Sequence, residues 1–207
     1  MKFPARNVFG RLPIRPVDLI LSLNARWPRG KGRYYPKTQE LFEFLEKIGK
    51  SKSKAIDSKR VTARGAQNFS AFYLDKNRKI HAFLLDYLWW SNKGSLLAAE
   101  SEFVEGIVGM KHDFEKLLCW KAPLKLMIVR EHPRILAETI RQVLSEYARS
   151  VPQLVKGECF VLFVFGKAAN NAYLYVAPKD GASKFNFEAM PVQYAAPRGK
   201  GLRSSKK

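Results

Sequence analysis

The 207-residue chain is expected to fold as a mixed α/β domain. Three observations predict this. Apolar residues make up 46% of the sequence, enough buried surface to offset chain entropy. Apolar positions at helical spacing alternate with short aromatic and β-branched runs, in the order helix, strand, strand, helix, strand, helix, strand. The length matches one domain, and a single core of that size buries about 70% of the unfolded chain's surface. Residues 1–37 read as a basic N-terminal arm, 38–194 as the α/β domain, and 195–207 as a basic tail expected to be disordered.

The first 37 residues hold nine Lys or Arg and one acid, Asp18. Val17–Leu23 fits a short helix or a short strand, and Trp27–Pro36 reads as a basic, aromatic loop. Thr38 can cap a helix whose stripe is Leu41, Phe42, Leu45 and Ile48, ending at Gly49. The basic stretch Lys47–Arg60 reads as a solvated loop with the option of nucleic-acid contact. Lys79–Trp90 predicts one long strand, Ser91–Gly94 a hairpin turn, and Ser95–Phe103 the next strand. A helix over Val104–Trp120, a buried strand over Leu124–Val129 and an amphipathic helix starting at Pro133 follow. Phe160–Phe165 and Ala172–Val176 read as the last two strands.

Charge narrows the function. Lys and Arg number 37 against 18 Asp and Glu, a net +19, so a folded body of this kind calls for an anionic partner, nucleic acid or an anionic membrane surface. Cys119 and Cys159 are too few for a disulfide framework, and their apolar neighbours predict two buried thiols in a reducing, cytoplasmic setting. The first fifteen residues do not read as a secretory signal, and no run approaches the roughly 20 apolar residues of a membrane span.

The scarce acids carry the chemistry. Asp86 falls within an apolar strand, and Glu100 and Glu102 end the next one. An uncompensated buried carboxylate is costly, so each calls for a cation, a proton or a salt bridge. Side chains two apart share a strand face, so Glu100 and Glu102 project together, and a hairpin can bring Asp86 to them. Oxygen ligands grouped in this way suit Mg²⁺ or Mn²⁺, with phosphate completing the shell, which is the electrostatic pattern of a phosphodiesterase.

An Asp in one strand, then Glu100-Ser101-Glu102 in the next, then a helix and a strand, resembles the PD-(D/E)xK nuclease superfamily in its Glu-x-Glu variant. The resemblance spans about Thr38 to Phe165. It implies a restriction-endonuclease-like three-layer core: a central mixed sheet of four to five strands flanked by helices. It further implies a metal-dependent endonuclease acting on DNA, with Asp86 and Glu100 as metal ligands, helped by the Ser101 carbonyl. Glu102 stands where the family usually has lysine, as ligand or base, and Glu43 or Glu40 is the candidate helix acid. Lys93, Lys116 or Lys121 is the candidate replacement for that lysine. Arg29, Lys31, Arg33, Lys52, Lys54, Lys59, Arg60 and Lys93 are the expected DNA contacts, and a homodimer would suit cutting both strands.

Other readings share these residues. The acids also fit structural ion pairs in a non-catalytic nucleic-acid-binding protein, or in a basic component of an RNA–protein particle. Asp113–Lys116 reads as a helix face with local ion pairs, and His81, His112 and His132 lack ligand spacing.

Overall fold

Leu124–Arg130 and Cys159–Phe165 are apolar almost throughout, and such strands are stable only where both faces are covered. In the computed structural model they form the centre of a sheet with helices on both sides. The structure describes residues 12, 14–28, 36–52, 57–60, 72–74, 80–82, 85–91, 94–104, 106–150, 157–178 and 184–192. The elements in chain order are α1 (Pro16–Arg26), α2 (Thr38–Lys52), β1 (Asp57–Arg60), β2 (Phe72–Leu74), β3 (Ile80–Ala82), β4 (Tyr87–Ser91) and β5 (Gly94–Glu102). Then come α3 (Gly106–Cys119), β6 (Leu124–Arg130), α4 (Ala137–Arg149), β7 (Cys159–Phe165), β8 (Asn171–Val176) and β9 (Glu188–Met190).

Seven strands form the main sheet in the order β1-β4-β5-β6-β7-β8-β9, with β2 and β3 paired separately. β5, β6 and β7 run parallel and the remaining neighbours antiparallel, so the sheet is mixed. It is wider than the four to five strands expected because two short edge strands flank it, the polar β1 (Asp-Ser-Lys-Arg) and the three-residue β9 (Glu-Ala-Met). Edge strands do not need an apolar face, so neither carries the usual strand signal.

The period of two divides β6 cleanly. Leu124, Leu126 and Ile128 join Leu19, Ile20 and Leu23 of α1 and Leu41, Phe42 and Leu45 of α2. Met127 and Val129 join Met110, Phe114 and Leu117 of α3 and Ile140 and Leu144 of α4. Helices therefore cover each face of the sheet, which gives three layers.

Of the two readings of Val17–Leu23, the helix is the one formed, as α1, with Pro16 at its start and Asp18 in its first turn, where Arg15 pairs with it at 2.7 Å. Several other elements differ from expectation. α2 runs through Gly49 to Lys52 because Leu41, Phe42 and Leu45 hold it on the sheet. The long strand predicted over 79–90 is broken, with β3 in the small sheet and β4 starting at Tyr87. Pro133 does not start α4. It sits in a tight turn closed by His132 and Ile135, which exchange backbone hydrogen bonds at 3.1 and 2.9 Å. The helix begins at Ala137, whose N–H is received by Glu131 Oε1 at 3.0 Å. Cys119 is exposed rather than buried, whereas Cys159 is buried and its thiol is pushed up to about 12 by burial, with Glu158 adding to the shift. The predicted tail over 195–207 lies outside the described residues.

On the α3/α4 face, Phe160 sits among aromatic rings from three other segments. Its centroid lies 6.3 Å from Phe114, 6.2 Å from Tyr175 and 5.3 Å from Phe185. Lys125 Nζ, fully buried, lies 4.6 Å from the Phe160 ring and 2.5 Å from Glu158 Oε2. Removing one member of such a pair strands the other's charge, whereas an apolar pair of similar volume does not. Phe160→Ala is expected to cost about 3–5 kcal/mol in urea unfolding, through lost transfer energy and the cavity left behind. Lys125→Met alone is expected to cost a similar amount, and the double change Lys125→Met/Glu158→Leu to recover most of it.

Candidate active site

The β4–β5 hairpin builds the site. Ser91 pairs with Gly94 at the turn, and the register runs back to Tyr87 opposite Ala99. One further step places Asp86 opposite Glu100. The ladder stops there because side chains replace its next bonds. Asp86 N–H donates to Glu100 Oε1 at 3.3 Å. Asp86 Oδ2 accepts from Ser101 N–H at 2.9 Å and from Ser101 Oγ at 3.0 Å. The N–H and C=O of one strand residue point to the same side. The Ser101 carbonyl therefore faces the β4 side of its strand, where Asp86 lies.

α3 supplies the counter-charge. Lys116 Nζ lies 3.3 Å from Glu100 Oε2 and 2.6 Å from Asp113 Oδ1. Met110, Asp113, Phe114 and Leu117 follow the i, i+3, i+4, i+7 spacing of one helix face, and three of the four are buried on the sheet. That packing carries Asp113 and Lys116 to the ends of β4 and β5.

Electrostatics follow from this crowding. Glu100 is fully buried, and its carboxyl is pushed up to about 9, first by burial and then by the charge of Asp86, with Lys116 opposing. Asp86 is also raised, by burial and by Asp113, against the lowering hydrogen bonds from Ser101. Burial works against the charge of Lys116, but Glu100, Asp113 and Asp86 outweigh it and hold the ammonium above its ordinary value. Three acids thus share one lysine, so the cluster is short of positive charge.

No family model, curated protein or solved structure matches this chain significantly. What the site can do rests on its own chemistry. Mg²⁺ takes one or two carboxylates and completes its shell with water and phosphate. Asp86 and Glu100 fit that demand, two opposed oxygen donors in a cluster with three acids to one lysine among the described residues, with the Ser101 carbonyl on the same side.

Glu102 behaves differently from its expected partners. It shares a strand face with Glu100, yet its carboxylate accepts the Val104 N–H and closes the turn into α3. Among the described residues no group of three His, Cys, Asp or Glu side chains is arranged to hold a metal. Glu43 is exposed on α2, accepting from Gln39 Nε2 at 3.0 Å, while Glu40 accepts from Lys37 N–H. α2 packs on the sheet face opposite α3, so the structure does not bring these two glutamates to the pair. Lys52 ends α2 and Lys59 and Arg60 lie on β1. Arg29, Lys31, Arg33, Lys54 and Lys93 lie outside the described residues. Of the three candidate lysines, Lys116 is the one that reaches the carboxylates among the described residues, whereas Lys121 precedes β6 at the other end of the sheet. Asp113, read from sequence only as a local ion pair with Lys116, is also part of the cluster. The signal that could have found it was its position beside Phe114 and Leu117 on the buried helix face.

Stability should report the raised carboxyls. Unfolded Glu100 ionises near 4.5 and folded Glu100 near 9, so between these values the folded chain holds a proton that the unfolded chain has released. The contribution is complete below about pH 4.5 and is lost as pH rises through about 9. Denaturant unfolding in chelator is expected to show stability falling by up to about 1.4 kcal/mol per pH unit across that window. Asp86 adds in the same direction. Glu100→Gln is expected to flatten the slope.

Proposed function

We propose that this chain is a metal-dependent endonuclease that hydrolyses phosphodiester bonds in DNA. The observation that carries this reading is the opposition of Asp86 and Glu100 at the open end of the β4–β5 hairpin, with Lys116 Nζ against Glu100. The element order gives further support. A helix, the β4–β5 hairpin bearing Asp and Glu-x-Glu, a second helix and a parallel strand follow one another as the resemblance to PD-(D/E)xK nucleases implies. The finer assignment to a restriction-endonuclease-like fold belongs to this proposal, as do a homodimer and a restriction-type role.

Asp86 and Glu100 would hold Mg²⁺ or Mn²⁺, with the Ser101 carbonyl beside them. The bound ion would supply Lewis-acid polarisation of the phosphate and a more acidic water. Lys116 takes the part of the lysine missing at position 102. Its ammonium is anchored by Asp113 and aimed at Glu100, so a cation drawn to that carboxylate would leave the lysine's charge available to a phosphate oxygen. Glu102, engaged by the Val104 N–H, keeps the end of β5 and the start of α3 in fixed relation.

The test is plasmid cleavage with Mg²⁺ or Mn²⁺ by the wild-type chain beside Asp86→Asn, Glu100→Gln and Lys116→Met. Wild type is expected to cut and each variant to lose at least about 100-fold in rate, the scale of losing one electrostatic contact to a transition state. An intact plasmid in both metals, with tight salt-sensitive binding, would overturn the enzyme in favour of a non-catalytic DNA-binding protein. The absence of a three-acid metal group among the described residues is what favours that second reading.

A further inference from the structure

The parallel strands end together. Glu102 pairs with Val129, and Arg130 with Phe165, so the segments after β5, β6 and β7 all leave the sheet at one edge. The candidate carboxylates lie at that edge. A Cβ placed on Gly106, whose φ is +67°, would lie 3.9 Å from Ile135 Cδ1, so the start of α3 packs against the turn after β6.

That turn is braced. His132 and Ile135 close it with two backbone hydrogen bonds, and Pro133 and Arg134 form its exposed tip. The Glu131 carboxylate receives the Ala137 N–H on one oxygen and the Lys167 N–H, at 2.8 Å, on the other. One side chain thus ties β6, α4 and the β7–β8 connection together. Glu138, the next acid along, is held by Arg141.

Exposure at this edge is unusual. The large apolar side chains exposed among the described residues are Val104 at 81%, Val108 at 80% and Leu136 at 57%. Single exposed apolar residues are ordinary, but these flank one contact, that of Gly106 with Ile135. His132, Arg134 and Lys167 are exposed around them.

We infer that this edge is a nucleic-acid docking surface, in which the Glu131–Leu136 turn sets Arg134 on the phosphates and Leu136, with Val104 and Val108, on the sugars and base edges of DNA. The inference deepens the nuclease reading and rests on it only for the identity of the strand that lies there. Charge selects the occupant. At this edge a second copy related by two-fold symmetry would set exposed Arg134 and Lys167 against their like, whereas a nucleic-acid strand offers anionic phosphates beside apolar sugar and base surface.

The test is fluorescence anisotropy of a labelled DNA duplex with the full chain, in chelator, across a salt series. Arg134→Gln is expected to weaken binding about 5- to 10-fold and to reduce the slope of log affinity against log salt by about one. Leu136→Ser is expected to weaken binding about fivefold with the slope unchanged. Lys184→Gln, exposed beside Phe185, which packs on Phe160 near the start of β7 at the other end of the sheet, is expected to match wild type. Wild-type affinity and slope in both Arg134→Gln and Leu136→Ser would overturn the inference, as would an equal loss of slope in Lys184→Gln. A changed oligomeric state in Leu136→Ser with unchanged DNA affinity would overturn it too, making the patch a contact between copies. The two readings fail separately. A wild-type chain that leaves plasmid intact but shows these binding effects keeps the docking surface and loses the nuclease. Cleavage that depends on Asp86 while Arg134→Gln and Leu136→Ser both bind as wild type does the reverse.

Discussion

Burial of β6 and β7 on both faces is the constraint on which the rest of the molecule depends. Two parallel strands made almost wholly of apolar residues need cover above and below, and the chain supplies it with two pairs of helices. Parallel pairing in turn requires a crossover between β5 and β6 and another between β6 and β7, filled by α3 and α4. The crossover through α3 brings a lysine back over the end of β5. The position of Lys116 against Glu100 is thus a by-product of how the core is covered, and the cluster is built on rigid elements.

Within the cluster the decisive imbalance is three carboxylates against one ammonium. Burial is the largest cause that raises the Glu100 carboxyl, and Asp86 across the hairpin adds to it. Lys116 reduces the cost without removing it. Such a cluster favours whatever brings further positive charge, and a hard divalent cation does so without needing more protein ligands. Glu131, at the same sheet edge, shows the contrasting arrangement: two backbone N–H donors satisfy its two oxygens, and its part is to fix a turn.

How much of this was legible in sequence depends on the range of the interactions. The hairpin was readable because Ser91-Asn92-Lys93-Gly94 marks its turn, but its register was not: counted from Ser91 opposite Gly94, Asp86 falls opposite Ala99, and a bulge between Trp89 and Trp90 shifts it by one residue to Glu100. β6, α4 and β7 were readable from strong apolar patterns. Where α4 begins was not, because Pro133 imitates a helix start while the Glu131 side chain caps the helix four residues later. β1 was hidden by its polar edge sequence, Asp57–Arg60. Lys116 was ambiguous for a different reason: an i,i+3 pair with Asp113 looks the same on a solvent face as beside a buried stripe. Only the rotation of α3 on the sheet, fixed by Phe114 and Leu117, separates the two. Glu102 illustrates the limit of strand alternation, which gives the face a side chain leaves from but not the backbone N–H that captures it.

The Lys125–Glu158 pair lies at the opposite end of the sheet from the carboxylate cluster, and its consequence concerns alignment. Apolar strands as uniform as β6 and β7 carry little to distinguish one pairing from its neighbour, since a Leu or Val fits many positions. A slip of β6 by a single residue would turn every side chain to the other face and carry Lys125 from Glu158 into the wholly apolar layer beneath α1 and α2. An ammonium stranded there would cost several kcal/mol. One charged residue among hydrophobic ones therefore acts as a locating pin. By fixing where β6 begins, it also fixes where Arg130 and the turn after it emerge, at the far end of that seven-residue strand.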